Sequence, residues 1–293
     1  MFPVHKIKAS QNISLEEMGS KVKFWIADKQ GREWLFKKAR ANTGEHWAEK
    51  VACELAGLLG IEHALVELAS YEDQNGCISR NLLLERRNVS LVHGNEILEF
   101  RVEGYEKTKK WNQSMHTYTN IIEAIEDTCK NDCDELRTRF AGYMLFDAWI
   151  GNMDRHHENW ALLRTETDDG PTYDLCPSYD HGSSLGRELT DQARMNLLEG
   201  NRLDSYIFPL SKKRGRGAIY WLETDERPLR PIELVGKIHQ DVLLPWTERL
   251  SEITSSQIES VLEKVPETCM VGLEKRFVAE FLALTQSHLC NRL

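Results

Sequence analysis

The sequence predicts an α+β fold with two lobes, a small antiparallel β-rich lobe at residues 1–104 and a larger helical lobe at residues 105–293. Two observations support this division. Short runs of alternating apolar and polar residues dominate the first third of the chain, whereas apolar residues after about Gly104 recur at helical spacing. No internal repeat or low-complexity tract interrupts this pattern.

The first lobe is expected to contain at least four strands and one helix. Residues 21–38 alternate around a polar, Gly-containing turn at residues 28–31, which is typical of a β-hairpin. From Gly44 the apolar period changes to that of a helix, which is expected to stop at Gly60. Two further apolar runs at residues 64–71 and 78–85 flank a polar turn at residues 72–76, so they are interpreted as two more strands.

The second lobe is expected to be mostly helical. Residues 118–129 and, more clearly, residues 136–149 carry helical periodicity, and three more amphipathic helices are predicted at residues 231–250, 255–265 and 272–289. Residues 210–217 are rich in basic side chains and glycine, which predicts an exposed loop.

Composition excludes several classes of protein. A formal charge of -9 argues against a general nucleic-acid binder, because such proteins neutralise phosphates with basic surfaces. The seven cysteines are odd in number and scattered, which indicates reduced thiols and a cytoplasmic location. Cys129 and Cys133 have a metal-compatible spacing, but no second Cys/His pair lies nearby in the sequence. The N-terminus has no signal-type apolar region, and no uninterrupted apolar stretch is long enough to predict a membrane span.

The segment GNMDRHHENW, residues 151–160, contains candidate catalytic and metal-binding residues. It places Asp154 and Asn159 five residues apart on a loop between a helix and an apolar run. Phosphoryl transfer requires a carboxylate that orients or deprotonates the acceptor hydroxyl and an amide oxygen that holds a magnesium ion. Each motif is weak in isolation, so their order and surroundings carry the prediction.

A second segment, LCPSYDHGSSLG at residues 175–186, supplies Asp180 followed two residues later by Gly182. A cation that bridges ATP phosphates needs an anionic oxygen ligand such as the Asp180 carboxylate, and the glycine allows a sharp turn. The two segments together predict a protein-kinase-like enzyme that uses ATP and Mg²⁺.

The first lobe should then provide a lysine for the ATP phosphates and an acidic partner for it. Lys37 lies in the second hairpin strand and Glu49 on the following helix, which suits these roles. Lys38 is a rival, because adjacent strand residues point to opposite faces and only one of the two can face the nucleotide. Glu54 is the alternative helical partner.

These residues resemble the HipA-like serine/threonine kinases, including the shorter CtkA-like members. The resemblance covers most of residues 15–200 and rests on EEMGSKVKFW, WLFKKAR, GEHWAEKVACELAGLLGI, LLLER, GNMDRHHEN and PSYDHGSSLG. Because it begins so close to the start of the chain, the extra N-terminal subdomain of full-length HipA is expected to be missing. The phosphate loop also lacks the G-x-G-x-x-G pattern, so the way in which this loop binds ATP stays open.

The resemblance implies a role for each candidate residue. Asp154 is implied as the catalytic base, Asn159 and Asp180 as magnesium ligands, and Lys37 as a phosphate ligand, with Glu49 beside it. His156 is implied near the phosphates, with bracing of the loop as its alternative role. Further nucleotide contacts are implied at Ser20, Lys21, Glu85, Arg86 and Arg87, and Ser20 corresponds to an autophosphorylation site of some members.

The predicted function is transfer of the ATP γ-phosphate to a serine or threonine of a protein substrate, including the chain itself. Lipid and small-molecule kinases use the same constellation and stay open as alternatives, as does a non-catalytic ATP-binding module. A metal-dependent hydrolase built from Asp154, Asp180 and the histidines at 156, 157 and 181 is a further alternative, although it leaves Lys37 and Glu49 without a task.

Overall fold

The computed structural model of the chain describes residues 1–15, 23–83, 88–130, 133–209 and 217–292. Two β-sheets and ten α-helices are found within these residues, and they form the predicted α+β arrangement of a β-rich lobe and a helical lobe.

The first sheet has six strands in the order β1-β5-β6-β4-β3-β2. The strands are β1 (Val4–Ile7), β2 (Asn12–Leu15), β3 (Lys23–Ala27), β4 (Glu33–Lys38), β5 (Val66–Tyr71) and β6 (Gln74–Arg80). All pairs are antiparallel except β1 with β5. The four strands β3 to β6 were predicted, whereas β1 and β2 are four-residue strands at the edges with too short an alternation to be recognised in the sequence.

The β5–β6 turn is shorter than its composition indicates. Glu72 and Asp73 adopt positive φ angles of 49° and 57°, and β6 begins at the next residue. Such a pair of left-handed residues matches the right-handed twist of a hairpin. Gly76 therefore lies inside β6, where a Cβ atom would come within 2.6 Å of the Lys37 carbonyl oxygen and 2.7 Å of the Phe36 ring. The glycine permits close approach of β4 rather than a turn.

Helix α1 (Glu45–Leu59) covers one face of this sheet and ends at Gly60, which is left-handed with φ 78°. Cys53 of the helix packs with Val66 and Cys77 of the sheet. The opposite face forms a separate apolar cluster around Phe24 and Phe36. The alternation of β5 and β6 thus serves two cores, because Val66 and Cys77 face the helix whereas Ala69 and Ile78 belong to the opposite cluster.

A second sheet of three antiparallel strands follows. Its strands are β7 (Val89–His93), β8 (Ala161–Thr165) and β9 (Thr172–Leu175), with β8 in the centre. Helix α2 (Gly94–Arg101) continues directly from β7 and packs against α3 (Tyr118–Cys129). The pairing of β7 with β8 favours a division of the lobes before Val89, and the division near Gly104 stays a prediction.

The remaining helices are α4 (Cys133–Ile150), α5 (Asp191–Glu199), α6 (Leu203–Ile207), α7 (Pro231–Val235), α8 (Gln240–Glu252), α9 (Ser255–Glu263) and α10 (Gly272–Arg292). The helix predicted at residues 231–250 is two helices. Gly236 ends α7, and the His239 side chain caps the N-terminus of α8 by accepting a hydrogen bond from the Asp241 N–H. Helix α4 is central, because Phe140, Phe146 and Trp149 are all fully buried.

Among the described residues, no helix combines the length and apolar character needed to cross a membrane. All seven cysteines are free thiols, and five of them are buried. Cys129 is buried, whereas Cys133 is exposed, so the two side chains lie in different environments.

Candidate active site

The loop after α4 carries Asp154 and Asn159. Gly151 has a φ angle of 68° and turns the chain away from the helix axis. A side chain at this position would come within 2.8 Å of the Phe281 ring of α10, so glycine is favoured by both conformation and space. The Asn152 N–H then donates to the Asp147 carbonyl oxygen at 2.8 Å. The loop is thereby attached to the last turn of α4.

An ion pair buried beneath this loop holds its shape. Arg155 Nε donates to Asp147 Oδ2 at 2.7 Å, and Arg155 Nη2 donates to Asp147 Oδ1 at 2.8 Å. The same guanidinium donates to the Asn159 carbonyl oxygen at 2.7 Å and to Ser178 Oγ at 3.0 Å. Because both side chains are only 3% exposed, this pair joins α4, the Asp154 loop and the segment before Asp180 with little solvent screening.

Asp154 is held by hydrogen bonds of both its backbone and its side chain. Its backbone N–H donates to Asn152 Oδ1 at 3.2 Å. Its Oδ2 atom accepts a hydrogen bond from the Ser183 hydroxyl at 3.1 Å. A hydroxyl group therefore already lies where a general base would hold the hydroxyl of an acceptor.

Asn159 presents its amide oxygen. Its Nδ2 group donates to the Asp154 carbonyl oxygen at 2.7 Å, which uses the nitrogen end of the amide inside the loop. The oxygen end is thus the one that suits a hard cation. The residue is 5% exposed, so its rotamer is held by packing as well as by this bond.

His156 is a neutral side chain next to the Asp154 carboxylate. Burial, with a smaller contribution from the Lys110 ammonium, lowers the pKa of His156 to about 3. Its Nδ1 atom accepts from the Glu158 N–H at 3.2 Å, so the proton of the neutral ring is on Nε2. Nε2 lies 3.8 Å from Asp154 Oδ1, and the ring packs against Trp111 in a T-shaped arrangement. These contacts fit both predicted roles, phosphate contact and bracing of the loop.

The segment after β9 brings Asp180 to the cleft. Asp180 has a φ angle of 58°, a left-handed conformation that aspartate tolerates better than most residues. The His181 N–H, immediately after this turn, donates to Glu49 Oε1 at 3.0 Å. A Cβ atom on Gly182 would lie 2.6 Å from Glu49 Oε2. Glycine is required here for the close approach of the Glu49 carboxylate to the backbone.

Lys37 connects the two lobes. Its Nζ atom lies 3.0 Å from Asp180 Oδ1, with 14% of the lysine side chain exposed. Of the two adjacent lysines, Lys37 is the one in contact with Asp180. The predicted partner Glu49 lies close enough to act on the ammonium by Coulomb attraction, while its Oε1 atom accepts from the His181 backbone. The structure thus brings Lys37, Glu49 and Asp180 together.

Burial decides the electrostatics of this group. Burial opposes the charged form of Lys37, but the negative charges of Asp180 and Glu49 outweigh it and raise the lysine pKa. Burial raises the pKa of Glu49, although the Lys37 ammonium and the backbone N–H groups of residues 181 and 182 oppose the shift. Two carboxylates and one ammonium in a partly buried cleft have an excess of negative charge, which favours the binding of another cation.

The donor set matches the chemistry of magnesium. The Asn159 amide oxygen and the Asp180 carboxylate are hard oxygen ligands, and Mg²⁺ usually takes only one or two protein carboxylates together with substrate phosphates. Within the described residues, no group of three His, Cys, Asp or Glu side chains is arranged to hold a metal ion. His157 Nδ1 is 2.8 Å from the Tyr105 hydroxyl and His181 Nε2 is 2.7 Å from Ser178 Oγ, so both rings are engaged in the scaffold.

Several predicted residues lie outside the part of the chain that the structure describes. They are Ser20 and Lys21 of the phosphate loop, Glu85, Arg86 and Arg87 of the hinge, and residues 210–216 of the basic stretch. Their predicted roles therefore rest on the sequence.

Three site residues were missed in the sequence. Asp147 is a single acid within the apolar run of α4, and such an isolated buried charge is a signal that it has a partner. Arg155 lies between the two residues of the motif that were chosen for their chemistry. Ser183 follows the Asp-His-Gly segment, but its contact with Asp154 spans 29 residues and leaves no local pattern.

The two-lobed fold and this constellation define a protein-kinase-like protein. The model of the HipA-like C-terminal domain family matches residues 6–227, and the chain belongs to this family. The match extends beyond both ends of the resemblance noted in the sequence.

One curated relative gives the extent of similarity in sequence. The chain is 24% identical over 178 residues to the serine/threonine-protein kinase CtkA of Helicobacter pylori, an alignment that covers 59% of this chain and 52% of the relative. The chain thus spans about half the length of the curated relative it matches.

Among solved structures, the Helicobacter pylori proinflammatory kinase CtkA superposes with a TM-score of 0.78 at 18% identity, covering 99% of this chain and 96% of that one. HipA of Shewanella oneidensis, in a toxin–antitoxin complex with HipB and operator DNA, gives a TM-score of 0.57 at 16% identity, covering 95% and 65%. These likenesses confirm the predicted fold class.

Proposed function

We propose that the protein is an ATP- and Mg²⁺-dependent kinase that phosphorylates serine or threonine on a protein. The observation that carries this proposal is the meeting of Lys37 and Asp180 across the cleft, 3.0 Å apart, beside a loop that presents Asp154 and Asn159. The family relationship and the curated relative's name, a serine/threonine-protein kinase, support it.

Each side chain has a defined task. Lys37 binds the nucleotide phosphates, Asn159 and Asp180 hold the magnesium ion, and Asp154 orients the acceptor hydroxyl and receives its proton. Bound magnesium would neutralise charge on the phosphates. The neutral Nε2–H of His156 can donate to an anionic oxygen near Asp154 without adding a positive charge.

A protein acceptor is favoured by the space beside Asp154. Asp154 lines a cavity of about 1120 Å³, which is larger than the roughly 300–1,000 Å³ of usual small-molecule sites. Lys37, Glu49 and Asp180 do not line it, so the acceptor space is separate from the proposed nucleotide residues. An extended peptide fits such a space better than a compact metabolite does.

The proposal is tested with Asp154→Asn, which keeps the shape of the side chain and removes its basicity. Transfer from labelled ATP to the protein itself or to peptides should fall by about 10²–10⁴-fold. Thermal shifts with ATP and Mg²⁺ should be retained. Full transfer by the variant would refute the assigned base, and ATP binding without transfer by the wild type would identify a non-catalytic binding module.

Autophosphorylation at Ser20 is part of the proposal and follows from its position in the sequence. Mass spectrometry after incubation with ATP and Mg²⁺ should find phosphate on Ser20 in the wild type and not in Asp154→Asn. Phosphorylation of other sites with Ser20 unmodified would count against this assignment.

A further inference from the structure

The cavity beside Asp154 is a groove whose charged side chains differ in sign from the protein as a whole. The chain carries a formal charge of -9, yet four arginines line this groove, against two acids. The arginines are Arg40, Arg187, Arg202 and Arg230, and the acids are Asp154 and Glu188. Arginine is the side chain best suited to carboxylates and phosphates, because its planar fork binds them with two parallel hydrogen bonds.

Arg187 lies next to the position of the acceptor hydroxyl. Its Nη2 group is 3.3 Å from Ser183 Oγ, and that hydroxyl donates to Asp154 Oδ2. Arg187 also pairs with Glu45, which is 5% exposed and fixes the guanidinium in place. A substrate residue one or two positions from the acceptor would therefore meet this guanidinium.

Arg202 and Arg230 lie farther along the groove. Arg202 is exposed, and in the described part of the chain no carboxylate forms an ion pair with it. Arg230 and Arg227 both donate to Glu233, so two guanidinium groups share one carboxylate. Glu188, the acid on this wall, accepts a hydrogen bond from the Tyr206 hydroxyl. Arg40 and Arg187 likewise share Glu45, so guanidinium groups outnumber carboxylates along the groove of an acidic protein.

We propose that the groove binds a peptide segment in which the acceptor serine or threonine is flanked by anionic side chains. Arg187 would contact the anionic residue nearest the acceptor, and Arg202 one farther away. This inference rests on the proposed kinase function, because the acceptor position is defined by Asp154. Carboxylates and phosphate groups share the required chemistry, and the experiment distinguishes between them.

The test compares peptides with the same serine acceptor and different flanks. Glutamate, phosphoserine or lysine is placed on both sides of the acceptor, and kcat/KM is measured with ATP and Mg²⁺. We expect anionic flanks to be preferred over lysine by about tenfold or more at low salt. Arg202→Glu should reduce this ratio severalfold. Arg276→Glu, which changes an exposed arginine of α10 outside the groove, should leave it unchanged.

Binding is measured separately from catalysis. The same peptides with alanine in place of the acceptor are labelled, and fluorescence polarisation reports their affinity for wild type and for Arg202→Glu. Thermal unfolding of each variant checks that it is folded. Charge-dependent binding without any phosphotransfer would refute the kinase function and keep the anionic groove. Equal affinity and equal kcat/KM for glutamate and lysine peptides would overturn the groove inference and leave the kinase function intact.

Discussion

The Lys37 ammonium lies 3.0 Å from the Asp180 carboxylate, although 143 residues separate them in the chain. One comes from a central strand of the first sheet, and the other from the segment that follows the second sheet. Their ion pair joins the two halves of the candidate nucleotide site. In the proposed function, both side chains would exchange this contact for phosphate and magnesium on binding of ATP.

Replacing Lys37 should therefore weaken nucleotide binding. Lys37→Met leaves Asp180 and Glu49 as two neighbouring carboxylates without their shared cation, and phosphotransfer should fall by about 10²–10³-fold. Calorimetric titration with ATP and Mg²⁺ checks the binding step. Lys38→Met is the matched control, because it changes the adjacent residue on the opposite face of β4. A loss of binding in Lys38→Met with retention in Lys37→Met would contradict the assignment.

Breaking the Arg155–Asp147 pair should destabilise the protein strongly. Arg155→Met leaves the buried Asp147 carboxylate without its guanidinium, which should lower the free energy of unfolding by about 3–5 kcal/mol. Urea titration measures the change. Arg276→Met removes an exposed i,i+4 pair with Glu280 and should cost no more than about 0.5 kcal/mol.

A double variant distinguishes the effect of losing the ion pair from the cost of leaving one buried charge without its partner. Asp147→Leu combined with Arg155→Met removes both charges, so it should recover part of the stability lost in Arg155→Met. Phosphotransfer should stay low in the double variant, because the Asn159 carbonyl and Ser178 still lose their common donor. Equal stability of Arg155→Met and Arg276→Met would show that the pair does not hold the loop.

Gly76→Ala should disturb the strand that carries Lys37. The new methyl group would lie 2.6 Å from the Lys37 carbonyl oxygen, so β4 and β6 must move apart, at a cost of about 1–3 kcal/mol. Both the unfolding free energy and ATP affinity should decrease. Gly272→Ala is the control, since no atom outside its chain neighbours and its own helix backbone lies within 4 Å of the added group. Equal effects of the two substitutions would contradict the close approach of the strands.

The stability of the protein should decrease as the pH is lowered, because buried histidines are neutral in the folded state. Burial lowers the pKa of His116 to about 3, despite a hydrogen bond to the Ala218 carbonyl oxygen that opposes the shift. The unfolded chain, with a histidine pKa near 6.5, then binds the proton more tightly. The contribution of the neutral ring to the free energy of unfolding is fully present above pH 6.5 and is lost progressively toward pH 3. For this residue the loss at pH 4 is about 3 kcal/mol.

Urea unfolding at several pH values tests this linkage. His116→Gln can still donate to the Ala218 carbonyl and accept from the Trp160 indole, contacts that the histidine makes at 2.9 and 3.1 Å. Its stability should depend less steeply on pH between 6.5 and 4 than that of the wild type. His239→Gln changes an exposed ring and is the control. Identical slopes for all three proteins would contradict the prediction.

Local features of the sequence predicted much of the fold. The hairpin of β3 and β4, the helix α1 with its Gly60 stop, and the helices α3 and α4 all follow from the spacing of apolar residues. Strands β1, β2 and β7 carry no comparable signal, because each is only four or five residues long. β1 and β7 pair with strands distant in the chain, and β2 lies at the edge of its sheet. Their existence depends on pairing energy rather than on local propensity.

The sequence by itself determined the family and the chemical groups of the candidate site, because Asp154, Asn159 and the Asp180 segment form short motifs whose residue types suit phosphoryl transfer. Only the tertiary structure decided that Lys37 rather than Lys38 meets Asp180, that Arg155 anchors the loop to Asp147, and that arginines surround the space beside Asp154. The physical reason is distance along the chain. Motifs are fixed by neighbouring residues, whereas contacts across 29 or 143 residues arise only when two sheets and a central helix pack around one cleft.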